Sequence, residues 1–460
     1  MGADDVGHAR RGLRRRMSGD GLPPGPRRPA LLQTLAMTFA FDRFATMCSE
    51  RFGPIVTLRL LGFGPMVAVT DPALIKQVFT GDPDVLHSGA ANAQLSAVLG
   101  HGSVILLDGQ RHLRRRKLLL PPFHGEAVRA YADVVAEITA AEIARWPRGR
   151  PFAILPRTRA ITLEAILRLV VGVRDEERLA RLRALLPRIS GSMAGIVLES
   201  ARPGLADGGL GPRLPWVRTR LRAARVLDEE IAAHRAAPEG RDDVLALLVA
   251  ARDEDGGALS DEELRGELLT LLLAGHETTA TALAWCFERL VRHPDVLARL
   301  QDDLAGGDGA YLDAVVSETL RSRPVVDSAQ RLLTEKLELG GYRLPAGTRV
   351  AASIWAVQHS AAFEAPERFA PERFLERPVA PYTLIPFGGG VRRCIGASFA
   401  EMEMRTVLRT VLNRVDLQPT SAAPETARRG RGITTVPARG GRVVVGERAD
   451  VARRPADTFG

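Results

Sequence analysis

Apolar residues in this chain recur mostly at helical spacing, and in one stretch they close round the whole helical circumference. That stretch is LLTLLLAGHETTATALAW, Leu268 to Trp285, and an all-round apolar helix must run through a core. Ser260 followed by Asp261, Glu262 and Glu263 supplies a capping-box start, and Pro294 supplies a stop. The pattern predicts a helix of about 32 residues, roughly 48 Å long. Elsewhere the periodicity is shorter-ranged. Pro54 to Leu61 and Pro65 to Thr70 read as a hairpin around Gly62 to Gly64, and Asp71 with Pro72 opens a helix. The body from Asp108 to Val415 is mostly helical, interrupted by a small β region from Lys336 to Ile354 that turns at Gly340 and Gly341, and a last β-like region runs from Gly432 to Val445. Pro29 to Phe41 predicts an amphipathic first helix, shorter than the roughly 20 apolar residues of a membrane span. The fold class is therefore mainly α with a small β region. A single large helix-rich domain from 22 to 446 is expected, after a disordered basic tail over 1–21 and before a flexible tail over 447–460, with the proline-rich run Leu22 to Pro29 as a stiff lead-in.

Composition narrows the function more by exclusion than by indication. The 460 residues carry a formal net charge of +9, but the cations are spread along the chain without interleaved aromatics, so no nucleic-acid partner is expected. Lysine occurs only at Lys76, Lys117 and Lys336, an arginine bias typical of a GC-rich bacterial genome. Three scattered cysteines, Cys48, Cys286 and Cys394, make no disulfide framework and suit a reducing cytoplasm. Arg10 to Met17 is followed by no apolar core or cleavage pattern of a signal peptide, and the twin Arg10 and Arg11 carry little weight without one. GxSxG, a phosphate loop, a GxGxxG opening a helix and zinc-ligand spacing are all missing. Reducing equivalents for any redox chemistry would then come from another protein.

The candidate chemistry gathers at FGGGVRRCIG, Phe387 to Gly396. Gly388, Gly389 and Gly390 let the backbone turn tightly and approach a flat ligand. Ile395, Phe399, Met402, Leu408 and Leu412 roughly share one helical face, so a helix is predicted to start at Cys394 and to favour its thiolate. With Arg392 two residues away, the sulfur suits the iron of a cofactor bearing acidic groups; the alternative is a small buried hydrophobe. In the long helix, Gly275 weakens the backbone and Thr278 can bond back one turn, so a kink or widened turn is expected beside Ala274, Glu277 and Thr279. Glu318 and Arg321 share a helix face before Pro324, and His112 and Arg116 share another. Read alone, these are a surface ion pair and a solvated basic face.

The spacing of Phe387, Gly390, Arg392, Cys394 and Gly396 resembles, at all five positions, the haem loop of the cytochrome P450 family. AGHETT, Ala274 to Thr279, is similar to that family's oxygen-binding motif, and Glu318 with Arg321 to its ExxR pair, followed by PERF at Pro371, Glu372, Arg373 and Phe374. The resemblance implies a cytochrome P450 fold and haem b with Cys394 as axial ligand to the iron. It implies haem contacts at Phe387, Gly396 and Ala274, and propionate pairing by His112, Arg116, Arg331 and Arg392, four donors for two carboxylates. Glu277 and Thr278 would handle protons, while Glu318, Arg321 and Arg373 would form a buried structural network; the second PERF-like run, Pro366 to Phe369, would stand outside it. The arginines beside His112 would face a redox partner.

The implied activity is a monooxygenase inserting one oxygen atom from O2 into a lipophilic substrate by hydroxylation or epoxidation. Electrons would come from NAD(P)H through a ferredoxin or flavodoxin with its reductase. The expected lining, from Leu86 to Leu107, Ile196 to Trp216, Leu272, Ala274, Val325 to Ser328 and Ile433 to Thr435, is apolar with few charges, which suits a medium-sized terpenoid, polyketide or fatty acid. Two other classes are a peroxide-driven peroxygenase, which would not need Glu277 and Thr278, and a haem sensor or electron carrier ligated through His112, His276 or His359.

Overall fold

The computed structural model describes residues 19–191, 193–201, 204–208, 211–429 and 434–446. Most of the basic tail, including Arg10 to Met17, the tail 447–460, and Gly432 and Ile433 lie outside these residues. The helices that build the site are α1 (Ala30–Phe39), α2 (Phe41–Phe52), α3 (Pro72–Thr80), α4 (Gly109–Leu119), α5 (Ala132–Ile143), α6 (Leu155–Leu169), α7 (Glu176–Ser190), α8 (Met193–Ala201), α9 (Pro215–Ala236), α10 (Asp261–Leu290), α11 (Ala310–Ser322) and α12 (Ala397–Leu412). α10 is the long apolar helix. Its capping box is present: Ser260 Oγ accepts from Glu263 N at 3.2 Å and Glu263 Oε2 accepts from Ser260 N at 3.0 Å. The helix ends at Leu290, and Pro294 opens the next one instead, over Pro294–Gly306.

α10 packs against α6, α9, α11 and α12 and the strand Thr435–Pro437. Leu272, Leu283, Trp285 and Phe287 are fully buried there, each contributing roughly 1.5–3 kcal/mol of burial. The expected widened turn is not found. α-Helical bonding runs unbroken through 274–279, with Thr278 Oγ1 donating to Ala274 O at 2.7 Å and Thr279 Oγ1 to Gly275 O at 3.1 Å. Gly275 serves a different purpose: a Cβ there would lie 2.5 Å from Ile166 Cδ1, so the glycine lets α6 approach. Thr158 and Thr162 of α6 complete the contact by donating to Ala280 O and His276 O at 2.8 and 2.9 Å.

Five strands, β1 (Ile55–Leu60), β2 (Gly64–Val69), β3 (Leu86–His87), β4 (Ser328–Leu333) and β5 (Arg349–Ser353), form a sheet in the order β1-β2-β5-β4-β3. The predicted hairpin is β1–β2, Ile55 opposite Val69. β5 pairs with β2 in parallel, Val67 beside Val350, and parallel strands need a crossover. Here the crossover is nearly the whole helical body. The predicted β region at 336–354 therefore splits: Leu337–Leu339 and Tyr342–Leu344 turn at Gly340 and Gly341, both at positive φ, while β5 joins the N-terminal hairpin. Alternation puts Val67, Val69, Val350 and Ala352 on the α3 side of the sheet and Met66, Ala68 and Ala351 under α1 and α2.

α1 reverses its expected amphipathicity. Gln33 is buried, with Nε2 donating to Pro26 O and Arg28 O at 3.1 and 2.7 Å, whereas Leu31, Leu32, Leu35 and Phe39 are exposed. No helix among the described residues is long and apolar enough to cross a membrane.

Candidate cofactor site

The loop ahead of α12 is folded by its glycines. Gly388 and Gly390 have φ of 68° and 63°, and a Cβ on Gly390 would lie 1.8 Å from Phe79 O, so only glycine fits against α3. Phe387 O accepts from Cys394 N at 2.9 Å, closing the loop. Gly396 is the N-cap and Ala397 the first residue of α12, so the helix starts three residues after the cysteine and not at it. Burial pushes the Cys394 thiol up, against the opposing pull of the Gly396 N–H and the cations Arg116 and Arg393. Yet Cys394 is accessible. The sulfur is therefore open to a ligand.

Ala274 gives the same signal on α10. It is exposed in the middle of a core helix, with Thr278 half-buried one turn on. Glu277 turns elsewhere: it is buried and forms a two-pronged ion pair with Arg159 of α6, Nε to Oε2 at 2.9 Å and Nη2 to Oε1. Glu277, His276, Arg159, Pro156, Ala160, Leu163 and Pro187 line a cavity of about 210 Å³. Arg159 was not foreseen, because nothing in α6's local pattern marks it.

The four proposed carboxylate donors sit on three segments. His112 is buried on α4 and pushed down to about 4 by burial and by Arg392 and Arg116, so it is neutral. Arg116, half-buried one turn on, lies in electrostatic range of Cys394 and forms no ion pair among the described residues. Arg331 of β4 is 5% exposed, donates to Gln330 O and Ser88 Oγ at 2.9 and 3.4 Å, and packs on the Phe79 ring; burial pulls it down to about 10. A buried guanidinium without a carboxylate partner calls for an anion. Arg392 already has one, unforeseen: Nη2 donates to Asp108 Oδ1 at 2.6 Å as well as to Leu107 O. These cations and the accessible thiol fit a flat, doubly acidic iron cofactor.

The arginines beside His112 do not all face outward. Arg114 pairs with Asp253 at 2.5 Å, Lys117 with Glu254 at 2.8 Å, and Arg115 with Glu267 at 2.8 Å and with Glu263, tying α4 to residues 253–267. Arg111 and Arg393 are exposed.

Behind the cysteine loop, Glu318 accepts from Arg321 Nε and Nη2 at 2.6 and 2.8 Å and from Ala370 N at 2.9 Å, with Arg373 Nε 3.3 Å away. Arg368 gives only its backbone carbonyl, so the structure brings in Arg373 and leaves the Arg368 side chain exposed. Gln358 carries this network forward, its Nε2 on Leu320 O and Arg321 O at 3.0 Å and its Oε1 on Ile385 N at 3.0 Å. Ile385 lies two residues before Phe387. His359 bonds Trp355 O at 2.9 Å and stacks on the Trp355 ring, and His276 bonds Leu272 O at 2.6 Å.

The expected lining segments meet in part. α8 packs against Ala93–Leu95 and Ser96–Leu99, His101 Nε2 lies 2.7 Å from Asp207 Oδ2, and Thr435 N donates to Val325 O at 2.8 Å.

Comparison with known proteins gives a consistent picture. The family described as Cytochrome P450 matches residues 23–441. The chain is 47% identical over 442 residues to "Putative cytochrome P450 135B1" of Mycobacterium tuberculosis (strain ATCC 25618 / H37Rv), covering 94% of this chain and 93% of that one. It is 42% identical over 431 residues to "Putative cytochrome P450 138" of the same strain, covering 93% and 97%. Among solved structures, "Retinoic acid bound cyanobacterial CYP120A1" superposes with a TM-score of 0.78 at 25% identity, over 93% of this chain and 99% of that one.

Proposed function

The chain belongs to the cytochrome P450 family, whose members are haem-thiolate monooxygenases, and on that premise we propose that it inserts one oxygen atom from O2 into a medium-sized lipophilic substrate, by hydroxylation or epoxidation. The observation that carries this reading is the accessibility of Cys394, Ala274 and Thr278 within a buried core. The haem, when bound, supplies the electron-transfer and oxygen-activating chemistry, which a thiolate ligand promotes. Cys394 is the ligand, and Arg116, Arg331, Arg392 and neutral His112 hold the haem carboxylates. Phe387, Gly396 and Ala274 leave room for its plane; a Cβ on Gly396 would meet no protein atom within 4 Å.

Thr278 and Glu277 divide the proton handling. The Thr278 hydroxyl gives its proton to Ala274 O at 2.7 Å, so its lone pairs are left to accept a bond from a ligand. Glu277, released from Arg159, would take up a proton that solvent relays through water in the 210 Å³ cavity, the cavity water being reprotonated from bulk, and pass it on at the Thr278 hydroxyl, returning to the carboxylate. Glu318, Arg321 and Arg373 act structurally, through Gln358, on the cysteine loop.

The apolar lining favours a terpenoid, polyketide or fatty acid, and a protein of this fold holding retinoic acid supports a lipophilic occupant. Electrons from NAD(P)H arrive through a ferredoxin or flavodoxin with its reductase, in the cytoplasm, docking beside the exposed Arg111 and Arg393. Two measurements test the reading. The ferrous carbon monoxide spectrum of the holoprotein should show the red-shifted thiolate band, and a histidine-type spectrum would sink the ligand assignment. Lipophilic compounds should displace iron-bound water in optical titrations; a response confined to charged compounds would overturn the substrate class.

A further inference from the structure

Asp108 precedes α4 by one residue, the place of a helix cap, but its side chain accepts nothing from the N–H groups of α4. The carboxylate turns outward instead. Oδ1 accepts from Gly89 N at 2.7 Å and Arg392 Nη2 at 2.6 Å, Oδ2 accepts from Ala90 N at 2.8 Å, and His87 Nδ1 lies 3.7 Å away. A Cβ on Gly89 would sit 2.7 Å from Asp108 Oδ2 and 2.4 Å from Leu106 O, so only glycine allows this approach.

Three segments therefore meet on one carboxylate, and each leads to a cation of the cluster. The turn after β3 contacts β4, where Arg331 reaches Ser88 Oγ. α4, which Asp108 begins, carries His112 and Arg116. The cysteine loop carries Arg392. The side chains of Asp108 and Arg392 are only 16% and 12% exposed, so the pair is shielded from solvent and its geometry is held. Arg392 Nη2 donates to Leu107 O and Asp108 Oδ1 and Nη1 to Val104 O at 3.4 Å, all in the segment leading into α4, which leaves Nε without a partner among the described residues and free to meet a ligand.

We propose that Asp108 is a positioning residue for haem: its carboxylate fixes Arg392 and, through it, the spacing of the donors that hold the haem carboxylates. This rests on reading Arg392 as one of those donors.

The test is a double-mutant cycle on the full-length holoprotein, following haem transfer to an excess of a haem-scavenging apoprotein. Asp108→Asn keeps the shape and loses the charge. It should speed haem loss about 10- to 100-fold, the usual cost of removing a partner that orients a cofactor-binding group. Arg392→Gln should do likewise, and the double variant should lose haem no faster than Arg392→Gln alone. The carbon monoxide band of Asp108→Asn should stay in place, because Cys394 is untouched. An unchanged rate in Asp108→Asn beside a faster one in Arg392→Gln overturns the proposal and leaves the reading of Arg392 standing; unchanged rates in both overturn that reading itself. Multiplying effects would give Asp108 an independent structural role and also overturn the proposal. If Asp108→Asn folds poorly, Asp108→Glu enters the same cycle, and its coupling to Arg392→Gln is read in the same way.

Discussion

Arg321→Met is the sharpest test of how the cysteine loop is supported. Arg321 and Glu318 are both fully buried, and Arg321 also donates to Gln358 O, Pro366 O and Arg368 O at 2.9, 2.9 and 3.2 Å. Methionine fills much of the volume and supplies no donor. Glu318 would keep only Ala370 N at 2.9 Å and Arg373 at 3.3 Å. Leaving one member of a buried pair uncompensated costs about 3–5 kcal/mol, and each carbonyl stripped of its donor adds about 1–3 kcal/mol where water cannot reach it. The sum approaches the whole stability of an ordinary domain, about 5–15 kcal/mol. Urea unfolding followed by circular dichroism should show the loss, with earlier haem release because Arg321 Nη1 donates to Gln358 O and Gln358 Oε1 in turn accepts from Ile385 N. Arg373→Ala should cost less, since its Nε sits at the edge of bonding range, and Arg368→Ala nearly nothing, since only its carbonyl is used. An Arg321→Met protein within 1 kcal/mol of the parent, or an Arg368→Ala as damaging as Arg373→Ala, would refute the reasoning.

Other outcomes follow from the same geometry. Gly388→Ala should cost about 1–2 kcal/mol for its positive φ alone, since a Cβ there meets nothing, whereas Gly390→Ala should prevent haem incorporation because its Cβ would meet Phe79 O; equal haem content in the two variants contradicts this. Thr278→Ala should leave the thermal midpoint within a few degrees and raise the reductant consumed per product formed, while Arg159→Ala should change that ratio through Glu277; unchanged coupling in both removes the proton route. Glu403 of α12 is buried with Oε1 unpartnered, and burial pushes its carboxyl up to about 8. The folded chain therefore holds a proton that the unfolded chain releases above the ordinary carboxylate range, so this group lowers stability as pH rises toward 8. Glu403→Gln should melt higher than the parent above pH 8, with the difference closing by about pH 5; a pH-independent difference argues against a buried neutral acid.

Local chemistry decided much of this protein in the sequence itself. The capping box at Ser260, the all-round apolar centre of α10, the β1–β2 hairpin and the helix opened by Asp71 rest on neighbours a few residues apart, and such forces can be read from spacing. The cysteine loop was legible for a related reason: glycines at fixed offsets around Cys394 answer to a turn that only they can make. Where sequence reading failed, the deciding partner came from far along the chain. Gly275 is small because Ile166 presses on it, and Glu277 faces Arg159 because α6 crosses α10 there. β5 left its neighbours for a strand near residue 67, and Gln33 is buried because Arg59 N donates to its Oε1 at 3.0 Å. Asp108 stands at the N-cap position of α4 but caps nothing, because the fold sets Gly89, Ala90 and Arg392 around it. A turn or a cap is satisfied within one or two turns of chain, but a buried charge needs a counterpart, and only the tertiary structure decides which distant residue supplies it.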